Sequence, residues 1–169
     1  KTVLELSRLL ADNDEALEIL LSPTQAVFRF GDIELVSKLI DGKFPDYERV
    51  IPQNHNKVIT LARTAFLQSL HRAAILTNEK FRGVRLVLAP GSLKIISSNA
   101  DQEEAQEELE ISYDGEALDI GFNVTYLLDV LNNVSTEEIE IRLADANSSA
   151  LVTLPGNDRF KYVVMPMRI

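Results

Sequence analysis

The residues able to do acid–base chemistry are few. The chain has two histidines, His55 in a polar stretch and His71 inside a helical pattern, and neither has an acid or nucleophile close by in sequence. Both read as solvated surface side chains. There is no cysteine, which removes thiolate nucleophiles, disulfides and thiolate zinc sites, and two histidines do not make a His-rich metal site. No Gly-x-Gly-x-x-Gly, Walker loop, Gly-x-Ser-x-Gly elbow or His-Glu-x-x-His helix occurs. The densest charge is the run from Asp101 to Glu110, which holds six carboxylates. Such a run can be a solvated face, guard a strand edge against unwanted pairing, or meet a basic partner. A hydrolase built on Glu103 and Glu107 would need a complementary acid, a metal or a substrate pocket, and nothing in the sequence supplies one. The triplets Asn123-Val-Thr, Asn133-Val-Ser and Asn147-Ser-Ser have the glycosylation form, but nothing signals secretion.

Two other features suit binding better than catalysis. Cations recur on and near the helical patterns: Lys1, Arg8, Arg63, His71 and Arg72, then Arg82 and Arg85. They read either as ordinary helix solvation or as a mildly positive face that would hold phosphates weakly and without regard to base sequence. The chain also ends apolar, Tyr162-Val-Val-Met-Pro-Met-Arg-Ile169, where a free end would fray in water. That tail is either a core strand or part of a groove whose Met165 and Met167 thioethers adapt to several ligands.

Composition bounds the possibilities. The 169 residues are 46% apolar with a formal net charge of −9, a core-forming and acidic balance that argues against a protein coated in nucleic acid but permits a local basic surface. The longest apolar run, Tyr162 to Met167, falls far short of the ~20 residues that span a bilayer.

The elements that must position these residues repeat. Thr2 and Glu5 have capping-box form ahead of Val3, Leu6 and Leu10, which predicts a helix from Thr2 to about Ala11 after which Asp12 to Asp14 turn the chain. Extended segments Ala16–Leu21, Ala26–Phe30 and Ile33–Leu39 follow, divided by Ser22-Pro23-Thr24 and Gly31-Asp32. The order returns with Thr64 as cap, a stripe of Phe66, Leu67, Leu70 and Ala74, and strands Val84–Leu88, Leu93–Ser97 and Glu108–Tyr113. It returns again with Asn123 as cap, Val124, Leu127, Leu128 and Leu131 on the helix, and strands Glu138–Leu143, Ala150–Leu154 and Tyr162–Met165. The caps stand about sixty residues apart, a structural-repeat period.

Opening strands Lys57–Leu61 and Ala117–Phe122 precede the second and third helices but none precedes the first. The expectation is therefore half of one domain followed by a complete two-unit domain, with the boundary in the aperiodic stretch Gly42–Pro52. The fold class is α+β: repeated helix-plus-antiparallel-strand units, with the helices on one face of the sheets.

Four stretches carry a family resemblance: Ser37-Lys-Leu-Ile-Asp-Gly-Lys-Phe-Pro-Asp-Tyr47, Ala74-Ile-Leu-Thr-Asn-Glu-Lys-Phe-Arg-Gly-Val-Arg85, Ile120-Gly-Phe-Asn-Val-Thr-Tyr126 and Tyr162-Val-Val-Met-Pro-Met-Arg168. In this order they closely resemble the bacterial DNA polymerase III beta subunits, the sliding clamps, across essentially the whole chain. The resemblance implies the DNA clamp fold, with residues 1–44 as the second half of a middle domain and 45–169 as the C-terminal domain. It implies a cytoplasmic, non-catalytic processivity factor without cofactor or metal. Its partners would be duplex DNA held by topology, the catalytic subunit of polymerase III, the clamp loader, repair polymerases and mismatch-repair factors.

By the same resemblance a peptide-binding pocket comprises Pro45, Arg49, Val50, Phe81, Asn123, Tyr126, Ser149, Val163, Val164, Met165, Pro166, Met167 and Arg168. Asn147 and Ile169 depart from the family pattern, an apolar residue and leucine respectively, which would shift peptide preference. Lys1, Arg8, Arg63, His71, Arg72 and Arg82 would face DNA. Ile75, Leu76, Glu103, Glu104 and Glu107 would form the edge that closes a two-chain ring. The competing reading is a generic α+β adaptor whose C-terminal groove binds peptides without a DNA role. Because the ring-closing partner domain is not in this sequence, the chain is expected to be monomeric or weakly associated; a stable ring-sized species in sedimentation equilibrium would contradict that expectation.

Overall fold

A computed structural model describes residues 1–10, 15–42 and 46–169. The helix end at Ala11, the turn Asp12–Asp14 and the pocket residue Pro45 lie outside the described residues. The chain separates into two compact units, Lys1–Pro45 and Asp46–Ile169.

In the first unit helix α1 (Thr2–Leu9) precedes an antiparallel meander of β1 (Glu18–Leu21), β2 (Gln25–Phe30) and β3 (Ile33–Lys38). Its hairpin turns at Gly31, whose φ of +50° is the left-handed conformation glycine adopts without steric cost. Thr2 is not the cap. Its hydroxyl lies 2.8 Å from the Ser37 hydroxyl, and Glu5 pairs with Arg8 at 3.1 Å rather than reaching back to the helix start. Ala26 and Phe30 are the buried apolar side chains of this unit among the described residues.

The second unit holds β4 (Lys57–Ala62), α2 (Arg63–Ile75), β5 (Gly83–Ala89), β6 (Ser92–Ser98) and β7 (Glu104–Glu110). The order then repeats as β8 (Leu118–Asn123), α3 (Val124–Asn132), β9 (Glu138–Leu143), β10 (Ala150–Leu154) and β11 (Asn157–Val164). Two antiparallel sheets result, ordered β11-β10-β9-β4 and β7-β6-β5-β8. Each repeat therefore lends its opening strand to the other: β4 pairs along β9, and β8 pairs along β5.

The helix starts are exchanged in the same way. The Arg63 N–H donates to the Glu137 carbonyl and the Val124 N–H to the Arg82 carbonyl, each at 2.8 Å. Here the expected cap at Thr64 is corrected, because Ala62 leads directly from β4 into α2 and the first N–H is satisfied by a backbone carbonyl of the other repeat. Asn123 does cap α3, its carboxamide oxygen accepting from the Thr125 N–H at 2.9 Å.

Period-2 alternation puts Ile59 and Leu61 of β4, Val84, Leu86 and Leu88 of β5, Leu93 and Ile95 of β6, Ile120 and Phe122 of β8, and Ile139, Ile141 and Leu143 of β9 on the inner faces. Phe66, Leu70, Ala73 and Ala74 of α2, with Val124, Leu127, Val130 and Leu131 of α3, complete one shared core. The two helices pack on each other, α2 also against β4, β6 and β7, and α3 against β8 and β11. At the end of α2, the Thr77 and Ser97 hydroxyls donate to the Ala74 and Ala73 carbonyls at 2.8 and 2.7 Å, satisfying acceptors the helix leaves open.

Two strands of this unit differ from the sequence expectation: β11 runs Asn157–Val164 rather than Tyr162–Met165, and the other belongs to the repeat of α2. The third strand of this repeat is Glu104–Glu110, inside the acidic run, rather than Glu108–Tyr113. An edge strand needs only one half-buried face, and Ala105, Glu107 and Leu109 supply it while Glu104, Gln106, Glu108 and Glu110 stay in water. Leu70 is fully buried at the contact of helices and sheets. Leu70→Ala should lower unfolding stability by about 2–5 kcal/mol, read from the urea midpoint at unchanged slope.

Candidate peptide-binding site

The site is built where the tail returns across the sheet. Strand β11 ends at Val164, which pairs with Ala150 and is buried, so the last core contact anchors the segment that follows. Met165 to Ile169 then run without regular structure, held by the Met167 N–H donating to the Gly121 carbonyl of β8 at 2.9 Å. Met165 is 75% exposed and Phe81 57%, large apolar side chains left for water by a fold with a complete core.

Two clefts flank the tail, and both are lined by Met167, Arg168 and Ile169. One of about 330 Å³ adds Phe81, Asn78, Gly83, Ser98 and Asn99. The other, of about 490 Å³, adds Arg85, Asp119, Gly121, Ala146 and Asn147. Arg85 and Asp119 face each other as a bidentate ion pair that leaves this second cleft polar at one wall. The walls are therefore mixed: thioether, aromatic and aliphatic surface for an apolar anchor, with guanidinium and carboxamide groups to orient polar atoms.

The structure brings some residues expected in the pocket together and leaves others apart. Phe81, Met167 and Arg168 share a cleft. Asn123 is joined to Phe81 through a 3.4 Å bond from its amide to the Phe81 carbonyl, and Lys80 Nζ lies 5.6 Å from the Phe81 ring centre. Tyr126 stands exposed on the first turn of α3, near Tyr162 of β11. Burial holds the Tyr162 phenol above its ordinary range, with Asp129 and Tyr126 adding to the effect. Arg49 and Val50 belong to a short 3₁₀ turn (Tyr47–Arg49) and its end, where Arg49 pairs with Asp46 at 3.0 Å; neither lines the two clefts. Ser149, Val163 and Pro166 are half-buried and line neither cleft.

The loop carrying Asn147 is ordered by Asp145, whose carboxylate accepts from the Asn147 and Ser148 N–H groups and the Ser148 hydroxyl at 2.8–3.0 Å. These bonds lower its pKa, that from Asn147 most. The buried Lys57 ammonium donates to the Ala144 carbonyl at 3.1 Å and fixes where that loop begins.

The residues expected to face DNA divide among different surroundings. Arg63 turns inward, its guanidinium donating to the Thr136 and Leu131 carbonyls at 3.0 Å, so that it closes the C-terminal end of α3. Arg72 makes a two-pronged pair with Glu107 at 2.8 and 2.6 Å and also reaches the Ser69 hydroxyl, while His71 is exposed on the same helix. The Arg72 hydrogen bonds hold the Glu107 carboxyl below its usual range. Arg82 occupies a left-handed position, φ +51°, between α2 and β5. Lys1 and Arg8 belong to the first unit, with Arg8 engaged by Glu5.

Of the residues expected at a ring edge, Ile75 is 79% exposed at the end of α2, and Glu104 and Glu107 lie on edge strand β7. Glu103 accepts from the Asn99 amide at 2.6 Å, and the Asn99 oxygen holds the Asp101 and Glu103 N–H groups at 3.0 Å. Among the described residues no group of histidine, aspartate and glutamate is arranged to hold a metal, and no helix is long and apolar enough to cross a membrane.

Sequence reading missed Gly83, Gly121, Asn78, Asn99, Arg85 and Asp119 as parts of this surface. A usable signal was present at Gly121: glycine inside a strand pattern marks a close approach by another backbone.

Helices layered on paired antiparallel sheets built from two repeats are the architecture of the DNA clamp class. Comparison agrees. The family model for the C-terminal domain of the DNA polymerase III beta subunit matches residues 48–168, and the one for its central domain matches residues 1–46. The chain belongs to the DNA polymerase III beta subunit family.

It is 50% identical over its full length to the beta sliding clamp of Pseudomonas putida, covering 46% of that protein. The solved DNA polymerase III subunit beta of Pseudomonas aeruginosa superposes with TM-score 0.86 at 49% identity, over 99% of this chain and 46% of that one. A Pseudomonas aeruginosa sliding clamp solved bound to griselimycin matches with TM-score 0.82 at 49% identity, over 99% and 45%. The chain thus spans about half the length of these relatives.

His55 sets a pH dependence beside this site. Its Nε2 is buried without a partner, its ring hydrogen-bonds the Ser149 backbone, and burial followed by the Arg142 charge lowers its pKa below 6.5. The unfolded chain then binds the extra proton first, so this contribution is complete above pH 6.5 and declines as pH falls from there toward the folded value. The urea midpoint should drop between pH 7.5 and 5.5, and His55→Gln should flatten that slope.

Proposed function

We propose that this chain supplies the peptide-docking part of a bacterial sliding clamp, a non-catalytic cytoplasmic processivity factor that surrounds duplex DNA and tethers polymerase III, the clamp loader and repair factors. The observation that carries the reading is the pinned tail: Met167 hydrogen-bonded to β8 and lining a cleft with exposed Phe81, while Met165 stands exposed on the same tail. Family membership supports the rest.

In this reading Arg49, Val50, Phe81, Asn123, Tyr126, Ser149 and Val163 to Arg168 contribute to the docking surface. Exposed methionines adapt their rotamers to different anchors, which suits one surface to several partners. Lys1, Arg8, His71, Arg72 and Arg82 meet DNA phosphates in passing. A net charge of −9 fits this role, because a closed ring retains DNA mechanically and tight phosphate binding would slow its sliding. Ile75, Leu76 and the carboxylates of β7 and its approach close the ring against a basic surface, apolar contact at the centre and charge at the rim.

Griselimycin, the ligand of the solved Pseudomonas aeruginosa clamp, is the probe. Calorimetric titration should show binding to this chain, weakened at least about tenfold by the combined Met165→Ala and Met167→Ala changes. Unchanged affinity in that variant would remove the pocket.

A further inference from the structure

Two glycines on the outer face of one sheet share a single occupant. Gly83 and Gly121 lie in β5 and β8, where Gly83 pairs with Asn123 and Arg85 with Gly121, making the glycines diagonal neighbours across the ladder. Neither has a positive φ, so the backbone there is open to any residue, and glycine is a poor strand former. The requirement is space. A methyl group on Gly121 would lie 2.5 Å from the Met167 carbonyl oxygen and 2.8 Å from Ile169 Cδ1; one on Gly83 would lie 3.0 Å from the same Cδ1.

We propose that Gly83 and Gly121 are positioning residues of the docking site: together they form a notch that seats Ile169 and lets the tail approach β8 closely enough to make the Met167–Gly121 hydrogen bond. This rests on the peptide-binding reading and deepens it. Met167, Arg168 and Ile169 are the wall between the two clefts, so the depth at which Ile169 sits fixes the shape of both. The notch preorganises that wall, and a ligand meeting it does not have to order the tail.

The two glycines differ in what they face, and that separates their effects. A methyl on Gly121 has backbone, which cannot rotate away, as its nearest neighbour; the three nearest atoms to one on Gly83 all belong to the Ile169 side chain. Gly121→Ala should therefore speed amide exchange at Met167 and weaken griselimycin at least about tenfold, and Ile169→Ala should not restore either. Gly83→Val should also weaken griselimycin, but the Gly83→Val, Ile169→Ala double variant should bind no worse than Ile169→Ala alone, a non-additive cycle.

Native Met167 exchange and native affinity in Gly121→Ala, or additive losses in the Gly83 cycle, would overturn the notch. If Gly121→Ala proves unfolded by circular dichroism, the Gly83 cycle decides. If griselimycin fails to bind the unsubstituted chain, the peptide reading falls by itself, while Met167 exchange in Gly121→Ala and Gly83→Val still judges the seat.

Discussion

The exchange of opening strands between the two repeats is the constraint on which the larger unit rests. Neither repeat can finish its own sheet: β4 completes the sheet of β9 to β11, and β8 completes the sheet of β5 to β7. The reciprocal bonds from Arg63 to Glu137 and from Val124 to Arg82 tie each helix start to the other repeat as well. Separating the repeats would unpair two ladders and open the common core around Phe66, Leu70, Leu127 and Leu131 in one step. Non-local pairing of this kind costs loop-closure entropy before it returns contact energy, and it makes the unit cooperative once formed.

That exchange also decides where a ligand surface can exist. The inner faces of both sheets are taken up by the helices, so the outer faces and the edges are what remain. On the outer face of β5 and β8 the chain's own end lies across two strands drawn from different repeats. The tail is thus attached to the place where the interlock is made. Asn123 links the same region to α3, since one carboxamide caps the helix and touches the Phe81 carbonyl. A site so mounted inherits the rigidity of the ladders beneath it while its exposed thioether stays adaptable.

Much of this architecture was legible in the sequence, because helix stripes and strand alternation follow from burial on one side of each element. The failures were local and share a cause. Thr2 and Thr64 have the residue types of caps, yet Thr2 meets Ser37 and the start of α2 is satisfied by a carbonyl far away in sequence. Edge strand β7 hid within a charge run because an edge has little apolar surface to show. Arg63 looked like a surface cation, whereas its guanidinium closes the end of α3. Family resemblance offered candidate docking residues that periodicity could not, and although Gly83 and Gly121 stand in the stretches that carry it, it assigned them no role. A glycine inside a strand pattern signals a close approach, as at Gly121, but what approaches is not legible until its neighbour is known.

Charge distribution follows the same economy of close partners. Arg8 is paired with Glu5, Arg29 with Glu18 and Glu34, Arg72 with Glu107, Arg85 with Asp119, and Arg142 with Glu140. Exposed pairs of this type are screened by water and salt and held only lightly, so under the proposed function a phosphate would displace such a carboxylate and leave as readily. Under the proposed function, cations held this lightly give an attraction that is short in range and quickly exchanged. Strong isolated cations would instead create stationary sites. Under the proposed function that difference separates a ring that slides from one that sticks, and it shows why an acidic chain and a DNA partner are compatible.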